Sequence, residues 1–485
     1  MTDGASPPRL LLGNLDGEAD LALDLPAAQP AAPASPETPA GSATPAAPAA
    51  PESGGRRLRR SWTAQAAAAA SAAASLLRAL ARPGDQLWLP ASPALLAAER
   101  FASLPGVPRP EIVAGPPGRL RPAGELLAWC ETAAVQALRA RQGERPRQPV
   151  ARQPAPGLGG PLHEVVWRLP RPLAAVVAAT HHRAFCLQVR RELDCELRGA
   201  RMVDSYAALA AHLEALAAGA DLPAAPARGE RPGARGDGAA PGAGFSGSWV
   251  VKAPLSAAGR WRAIHRHDLA PDELAQPGFR RRVENLFARH GALLFEPWME
   301  READFGAAGL LLPDGVRWVS FHRQRVDVHG QVTGLDLDAG PPDGAGGAAG
   351  DLIVDGMARA ELAVWQEALD GVAGALARAG YVGPFGVDAW RFRGRDGRSR
   401  LLPVGEINAR LTLGLLARAL VDRLRGPLGL GAGDRVGLRL GTPPPAHGGA
   451  VRREIVPLLA SGAAGEPGAW LELDRRAGRS AGSQG

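Results

Sequence analysis

Lysine is almost absent from this chain. Of 56 basic side chains in 485 residues, 55 are arginine, and the one lysine is Lys252. No G-x-x-x-x-G-K-[ST] loop occurs, so a P-loop phosphate site cannot carry function here. Cysteines number three, Cys130, Cys186 and Cys195, an odd count without paired spacing; this excludes a disulfide framework or a cysteine-built zinc site and implies a reducing compartment. Residues 1–25 carry Asp3, Asp16, Glu18, Asp20 and Asp24 and lack the order of a secretory signal, so a cytoplasmic location is expected. The alanine-rich tract from Ala64 to Ala81 is interrupted by Gln65 and Arg78 and falls short of a membrane span. Aromatic residues make up only 5%, against 61 Gly and 45 Pro, which predicts abundant loops and linkers.

What is present describes a globular chain long enough for two or three domains, 46% hydrophobic and 22% charged. The net charge of +7 is spread among acidic residues, with one cluster at Arg56-Arg-Leu-Arg-Arg60, so nucleic acid is not the expected partner. Arg9–Glu18 opens with a buried-strand signal ending in Gly13, with Asn14 and Glu18 within reach of a ligand or capping the loop. Residues 26–55, nearly all Ala, Pro, Ser, Gly and Glu, and residues 221–247 cannot bury a core and read as flexible insertions; residues 338–350 form a third. Helices are expected over 62–82, near 91–103 and over 123–139, with strands at 85–90 and 163–170; the alternation favours an open α/β sheet.

From Thr180 the pattern becomes helix, strand, helix: Thr180 can N-cap 181–193, residues 199–203 are extended, and Asp204 or Ser205 can cap 206–218. A helix over 279–290 should stop at Gly291. A strand at 292–296 then runs into Pro297-Trp298-Met299-Glu300, followed by antiparallel strands at 305–312, 316–322 and 325–329. A helix over 357–379, strands at 385–392 and 401–407, a helix over 411–424 and three strands near 435–440, 453–459 and 469–473 complete the pattern.

Lys252 follows the apolar strand signal Trp249-Val-Val251 and precedes a small-residue turn, Ser256-Ala-Ala-Gly259, whose backbone N–H groups can fold over an anion. A compact ammonium fits between phosphate oxygens where an arginine fork does not. The second constellation is a hairpin. A turn centred on Gly397 sets Asp388 opposite Glu406, and like charges across a ladder are unfavourable unless a cation lies between them. Asn408 shares the face of Glu406 by strand alternation, giving an all-oxygen set suited to Mg²⁺ or Mn²⁺. The bland alternative is two solvated carboxylates, and a single-residue bulge would break the pairing.

In order and spacing, Lys252, Glu296, Asp388 and Glu406-Ile-Asn408 resemble the ATP-grasp superfamily over roughly residues 180–425. The resemblance implies two α+β subdomains clasping ATP, preceded by an open α/β pre-ATP-grasp domain. It places that first domain at 1–179, subdomain A at 180–284, subdomain B at 285–425 and a C-terminal β extension at 426–485. It makes Lys252 the phosphate lysine and Ser256, Ala257, Gly259 and Arg260 part of a mobile phosphate loop. Glu296, Pro297, Trp298 and Met299 become the adenine hinge, Asp304 the ribose contact, and Asp388, Glu406 and Asn408 the metal ligands. Arg410, which shares the face of Glu406, would steady transferred negative charge, with Arg323 or Arg325 doing likewise. A second family cation, usually lysine, is missing, and Arg183 is its candidate replacement; His181 and His182 read as helix-terminus residues.

The reaction implied is a Mg-ATP-dependent ligation of a small-molecule carboxylate to an amine through an acyl phosphate. A kinase on the same fold and a non-catalytic ATP-binding regulator stay open beside it.

Overall fold

The computed structural model describes residues 8–13, 73, 75–89, 101–114, 124–143, 160–218, 247–256, 261–266, 276–327, 330–340, 354–394, 397–441, 454–459 and 468–475. All of residues 14–72, with the Arg56–Arg60 cluster, Asn14 and Glu18, lie outside them, as do nearly all of the three insertions.

The first strand is Arg9–Leu12, β1, flanked in a parallel sheet by Gln86–Leu89, β2, then Glu111–Ala114, β3, and on its other side Glu125–Ala128, β4, in the order β3-β2-β1-β4. Every residue of β1 is buried, the signature of a parallel strand covered on both faces. Leu10 and Leu12 pack with Leu126, Ala128 and Val135 on one side while Leu11 joins the main core on the other. The helix expected over 123–139 is thus two elements, β4 and α1 (Ala133–Arg141), the latter capped by Thr132 Oγ1, which accepts from the Val135 N–H at 3.2 Å. A four-residue apolar run buried on both faces has no periodicity that separates strand from helix. The strand expected at 163–170 is a helix, α2 (Leu162–Arg168). Leu162, Val165, Val166 and Leu169 are all buried at helical spacing, and Trp167 donates its indole N–H to Leu80 O at 2.7 Å. Thr180 does not cap a helix: it ends α3 (Ala174–His181), donating its hydroxyl to Val176 O at 2.7 Å, and His182 Nδ1 caps α4 (Arg183–Glu192) by accepting from the Ala184 N–H.

A second, antiparallel sheet combines Arg201–Val203 (β5), Trp249–Lys252 (β6), Arg262–His265 (β7) and Leu293–Pro297 (β8) in the order β5-β8-β6-β7. Two helices cover one face. They are α5 (Tyr206–Ala217), capped by Ser205, and α6 (Pro277–His290), ended by Gly291 at φ 72°. Trp249, Val251 and Phe295 point to those helices and pack with Leu209, Phe279 and Val283. Alternation therefore turns Val250, Lys252, Leu294 and Glu296 to the other face. Because β8 pairs here, the change from small to large sheet falls at Trp298–Met299 and not within α6, where the expected subdomain boundary at 284/285 lies.

The large sheet holds Glu300–Leu312 (β9), Gly315–Val326 (β10), Val332–Asp338 (β11), Gly383–Arg393 (β12), Ser399–Asn408 (β13), Arg435–Gly441 (β14), Glu454–Leu459 (β15) and Gly468–Asp474 (β16). Their order is β13-β12-β9-β10-β11-β14-β16-β15, so the C-terminal strands β14, β15 and β16 extend the same sheet. The third meander strand lies at 332–338, since Arg325 and Val326 still belong to β10. One face is covered by α7 (Arg359–Arg378), whose Trp365 meets Phe305 and Phe321; the other receives α8 (Leu413–Leu424) where Gly414 approaches His322. The mixed α/β architecture, an open parallel sheet followed by two antiparallel α+β layers, is the one expected.

Candidate functional site

The hairpin β12–β13 reaches the expected pairing by an unexpected route. Near the turn Arg393 faces Ser399 and Trp390 faces Leu402, a register that, continued, would set Asp388 against Val404. Two additional residues on β13 between Leu402 and Glu406 shift the ladder, and Asp388 lands opposite Glu406, with Gly386 opposite Asn408. Gly405 sits in this irregularity because a Cβ there would lie 1.9 Å from the Trp390 ring. The freed carbonyls turn to α4: Arg190 donates its Nε to Val404 O at 2.7 Å and an Nη to Gly405 O.

Across β12, β9 and β10 the same face carries Asp388, Gly306 and His322 in one row and Trp390, Asp304 and Gln324 in the next. Gln324 donates to Asp388 Oδ1 at 2.7 Å and Asn408 to Oδ2 at 3.0 Å. Withdrawal from water, then the charge of Glu406, push the Asp388 carboxyl up to about 6. Burial pushes Glu406 the same way, but Arg183, Lys252 and His181 outweigh it and hold that carboxyl below the ordinary value. His322 is buried beside Ser320 Oγ at 3.1 Å and burial lowers it to about 4, so it is neutral at pH 7. Gly306 and Gly414 leave the room its ring occupies.

Opposite this floor, on the cleft face of the small sheet, Lys252 and Arg190 both pair with the buried Glu296 carboxylate. Burial alone would raise Glu296; the two cations override it and hold it well below the usual carboxylate range. Arg183 joins the halves. Its guanidinium donates to Ala253 O at 2.9 Å and Ser256 O at 3.1 Å, and an Nη lies 3.2 Å from Glu406 Oε2. Thus Lys252, Ser256, Arg183 and Glu406 are brought together. Ala257, Gly259 and Arg260 lie outside the described residues.

The segment from Glu296 to Met299 does link the two sheets. Trp298 N–H bonds Ser248 O at 3.0 Å and Met299 packs against the apolar cluster that includes Trp390 and Leu294, whereas the Glu296 side chain is committed to its cations. Asp304 is buried and paired with Arg301 at 2.7 Å, and Arg301 lies 3.9 Å over Trp390. Arg410 donates to Asn408 Oδ1 at 3.1 Å and lies 5.5 Å from the Trp129 ring, tying the first sheet's loop to the hairpin end. Arg323 and Arg325 are a correction: they alternate with His322 and Gln324 and so face the opposite side, where Arg325 pairs with Asp336. His181 is buried with its Nδ1 accepting from Ala409 N–H; burial first, then Arg410, lowers it to about 3.

Arg190, Gln324, His322 and Trp390 were not found from the sequence. Gln324 and His322 follow from strand alternation once β10 is known. Arg190 lies seven residues from Arg183 on the buried stripe of α4, but among 55 arginines nothing marks it out. Among the described residues no group of three or more His, Cys, Asp and Glu side chains forms a metal cluster; the hairpin set is two carboxylates and an amide. Also among them, no helix is long and apolar enough to cross a membrane.

No family model and no curated protein matches the chain. Similar solved structures include N5-carboxyaminoimidazole ribonucleotide synthetase from Thermus thermophilus, 15% identical over 83% of this chain and 91% of that one, TM-score 0.44. Biotin carboxylase from Campylobacter jejuni is 10% identical over 82% and 85%, TM-score 0.42. N5-carboxyaminoimidazole synthetase from Staphylococcus aureus, complexed with ADP, is 8% identical over 76% and 79%, TM-score 0.38. Likenesses this loose do not carry the neighbours' chemistry over; what this site can do follows from its own residues.

Proposed function

We propose that this chain is a Mg-ATP-dependent enzyme of the ATP-grasp type that activates a small-molecule carboxylate by phosphorylation and joins it to an amine. The observation that carries the nucleotide–metal part is the charge pattern of one cleft. Opposed carboxylates, Asp388 and Glu406, line its floor, and a surplus of positive charge, Lys252 and Arg190 on one Glu296, lines its roof.

The donor set fits a hard divalent cation. Withdrawal from water and then the charge of Glu406 raise Asp388 to about 6, a cost that a bound cation relieves, and the ligand atoms are oxygens. Asp388, Glu406 and the Asn408 carbonyl would hold the metal, and Lys252 with the Ser256 turn would hold phosphates. Bound Mg-ATP supplies the γ-phosphoryl group and neutralises its oxygens. Lys252 orients phosphate oxygens from the roof, Trp298 and Met299 border the site at the link between sheets, and Arg410 stands beside Asn408 where charge would grow on an acceptor. Asp304 remains the ribose candidate only if Arg301 releases it. The carboxylate–amine reaction rests on the motif resemblance.

An ADP-release screen over carboxylate and amine pools tests the reading, with wild type beside Asp388→Asn and Lys252→Ala. Release that needs both substrates, and that both variants lose, is the expected result; release without an amine selects the kinase. If wild type never exceeds the variants in any pool, the enzyme reading is lost.

A further inference from the structure

Glu296 carries two cations where one would neutralise it, and the two differ in how they are held. The Arg190 side chain is 1% exposed and is bound on three sides, to Glu296, Val404 O and Gly405 O. The Lys252 side chain is 11% exposed and, among the described residues, its only hydrogen-bond partner is Glu296; its other neighbour is the Trp390 ring at 5.8 Å. Burial, with Arg183 and Arg301 close by, holds the Lys252 ammonium below the ordinary lysine value despite Glu296, as expected for a group in a surplus of positive charge. Lys252 is therefore the exchangeable partner and Arg190 the fixed one.

We propose that Arg190 is the resident counter-ion of the nucleotide site: it keeps Glu296 neutralised when Lys252 leaves that carboxylate for an incoming phosphate, and its remaining N–H groups fix the β13 irregularity that sets Glu406 opposite Asp388. It is a positioning residue, and the inference rests on the Mg-nucleotide reading above. Charge counting gives the consequence. Counting only Arg190, Lys252 and Glu296, with the nearby Arg183 and Arg301 left unchanged, the pocket is net +1, and an anion can take Lys252 without stranding a buried carboxylate. Without Arg190 the pocket is neutral, and every phosphate must compete with Glu296 for Lys252. Neutralising Glu296 as well returns the pocket to +1.

The test is titration of MgADP and of adenosine into wild type, Arg190→Met, Glu296→Gln and the double variant. Arg190→Met is expected to weaken MgADP about tenfold while leaving adenosine within about twofold, and the double variant to recover MgADP to within about threefold of wild type. A purely structural Arg190 gives the opposite order: MgADP and adenosine weaken together, and the double variant is no better than the single. That result overturns the inference and leaves the nucleotide reading standing. Wild type that binds neither ligand overturns the reading itself, and the inference with it. If Arg190→Met does not fold, Glu296→Gln decides: it raises the pocket to +2 and should tighten MgADP about threefold or more, and no tightening refutes the proposal.

Discussion

The roof and the floor of the cleft hold opposite imbalances. On the roof one carboxylate, Glu296, meets two cations; on the floor Glu406 pairs with Arg183, while Asp388 opposite it takes hydrogen bonds from the amides of Gln324 and Asn408. The roof is self-satisfied and sits on a β-strand end and a helix, so its groups hold their positions without ligand. On the floor, burial and then the charge of Glu406 push the Asp388 carboxyl up to about 6. Two cations on one carboxylate above and two opposed carboxylates below suit a phosphate chain with its cation lying between, and the contrast makes each half testable by itself.

The strongest way to break the roof is Lys252→Arg. The charge is kept, but a planar fork cannot take the place of a compact ammonium among phosphate oxygens, and a loss of about 100-fold or more in ATP turnover is expected. Nucleotide-dependent ADP release measured on purified protein checks it, and unchanged turnover would remove Lys252 from the site. The floor breaks next, through Gly405→Ala. Its Cβ would lie inside the Trp390 ring, so Trp390 or the β13 irregularity must shift, at a cost of about 1–3 kcal/mol seen as a lower urea midpoint. Activity should fall with it, because Glu406 is the next residue.

Acidification sharpens the comparison on the floor, where Asp388 is raised to about 6. Divalent-metal affinity should fall as pH drops through about 6, where Asp388 takes a proton, and Asp388→Asn should remove that step. For the metal-free protein the sign reverses. The Asp388 carboxyl is raised in the folded state, so between its ordinary value of 3.8 and about 6 the native state binds more protons than the unfolded chain. Its contribution to stability is then present at low pH and lost as pH rises through 6, which metal-free melting temperatures over that range would reveal. The smallest effect belongs to Arg325→Ala. Its pair with Asp336 is exposed and lies on the far face, so less than about 0.5 kcal/mol and no change in ADP release are expected.

Much of this was legible beforehand. The lone lysine, the acidic strand end and the Asp…Glu-x-Asn hairpin all stand out by rarity or by strand alternation, and the structure brings them to one cleft. The hairpin shows how far such reasoning reaches. Asp388 does face Glu406, yet through two opposite departures from the assumed geometry, an earlier turn and a two-residue irregularity that Arg190 and Trp390 hold in place. The misread helices and strands of residues 123–170 have the same origin. Four buried residues carry no period, and a stretch as short as that holding Leu162, Val165, Val166 and Leu169 shows only about two turns of helical spacing.

The sequence by itself determined which groups are available and which neighbours share a face, because backbone geometry repeats every two or 3.6 residues whatever the rest of the chain does. Only the tertiary structure decided which cation meets which carboxylate. Arg190 reaches Glu296 across 106 positions and Gly405 across 215, and Arg183 reaches Glu406 across 223. No local period extends over such separations. Those pairings come from the docking of α4 between the two sheets, and in a chain whose cations are nearly all arginine nothing but that docking could single out two of them.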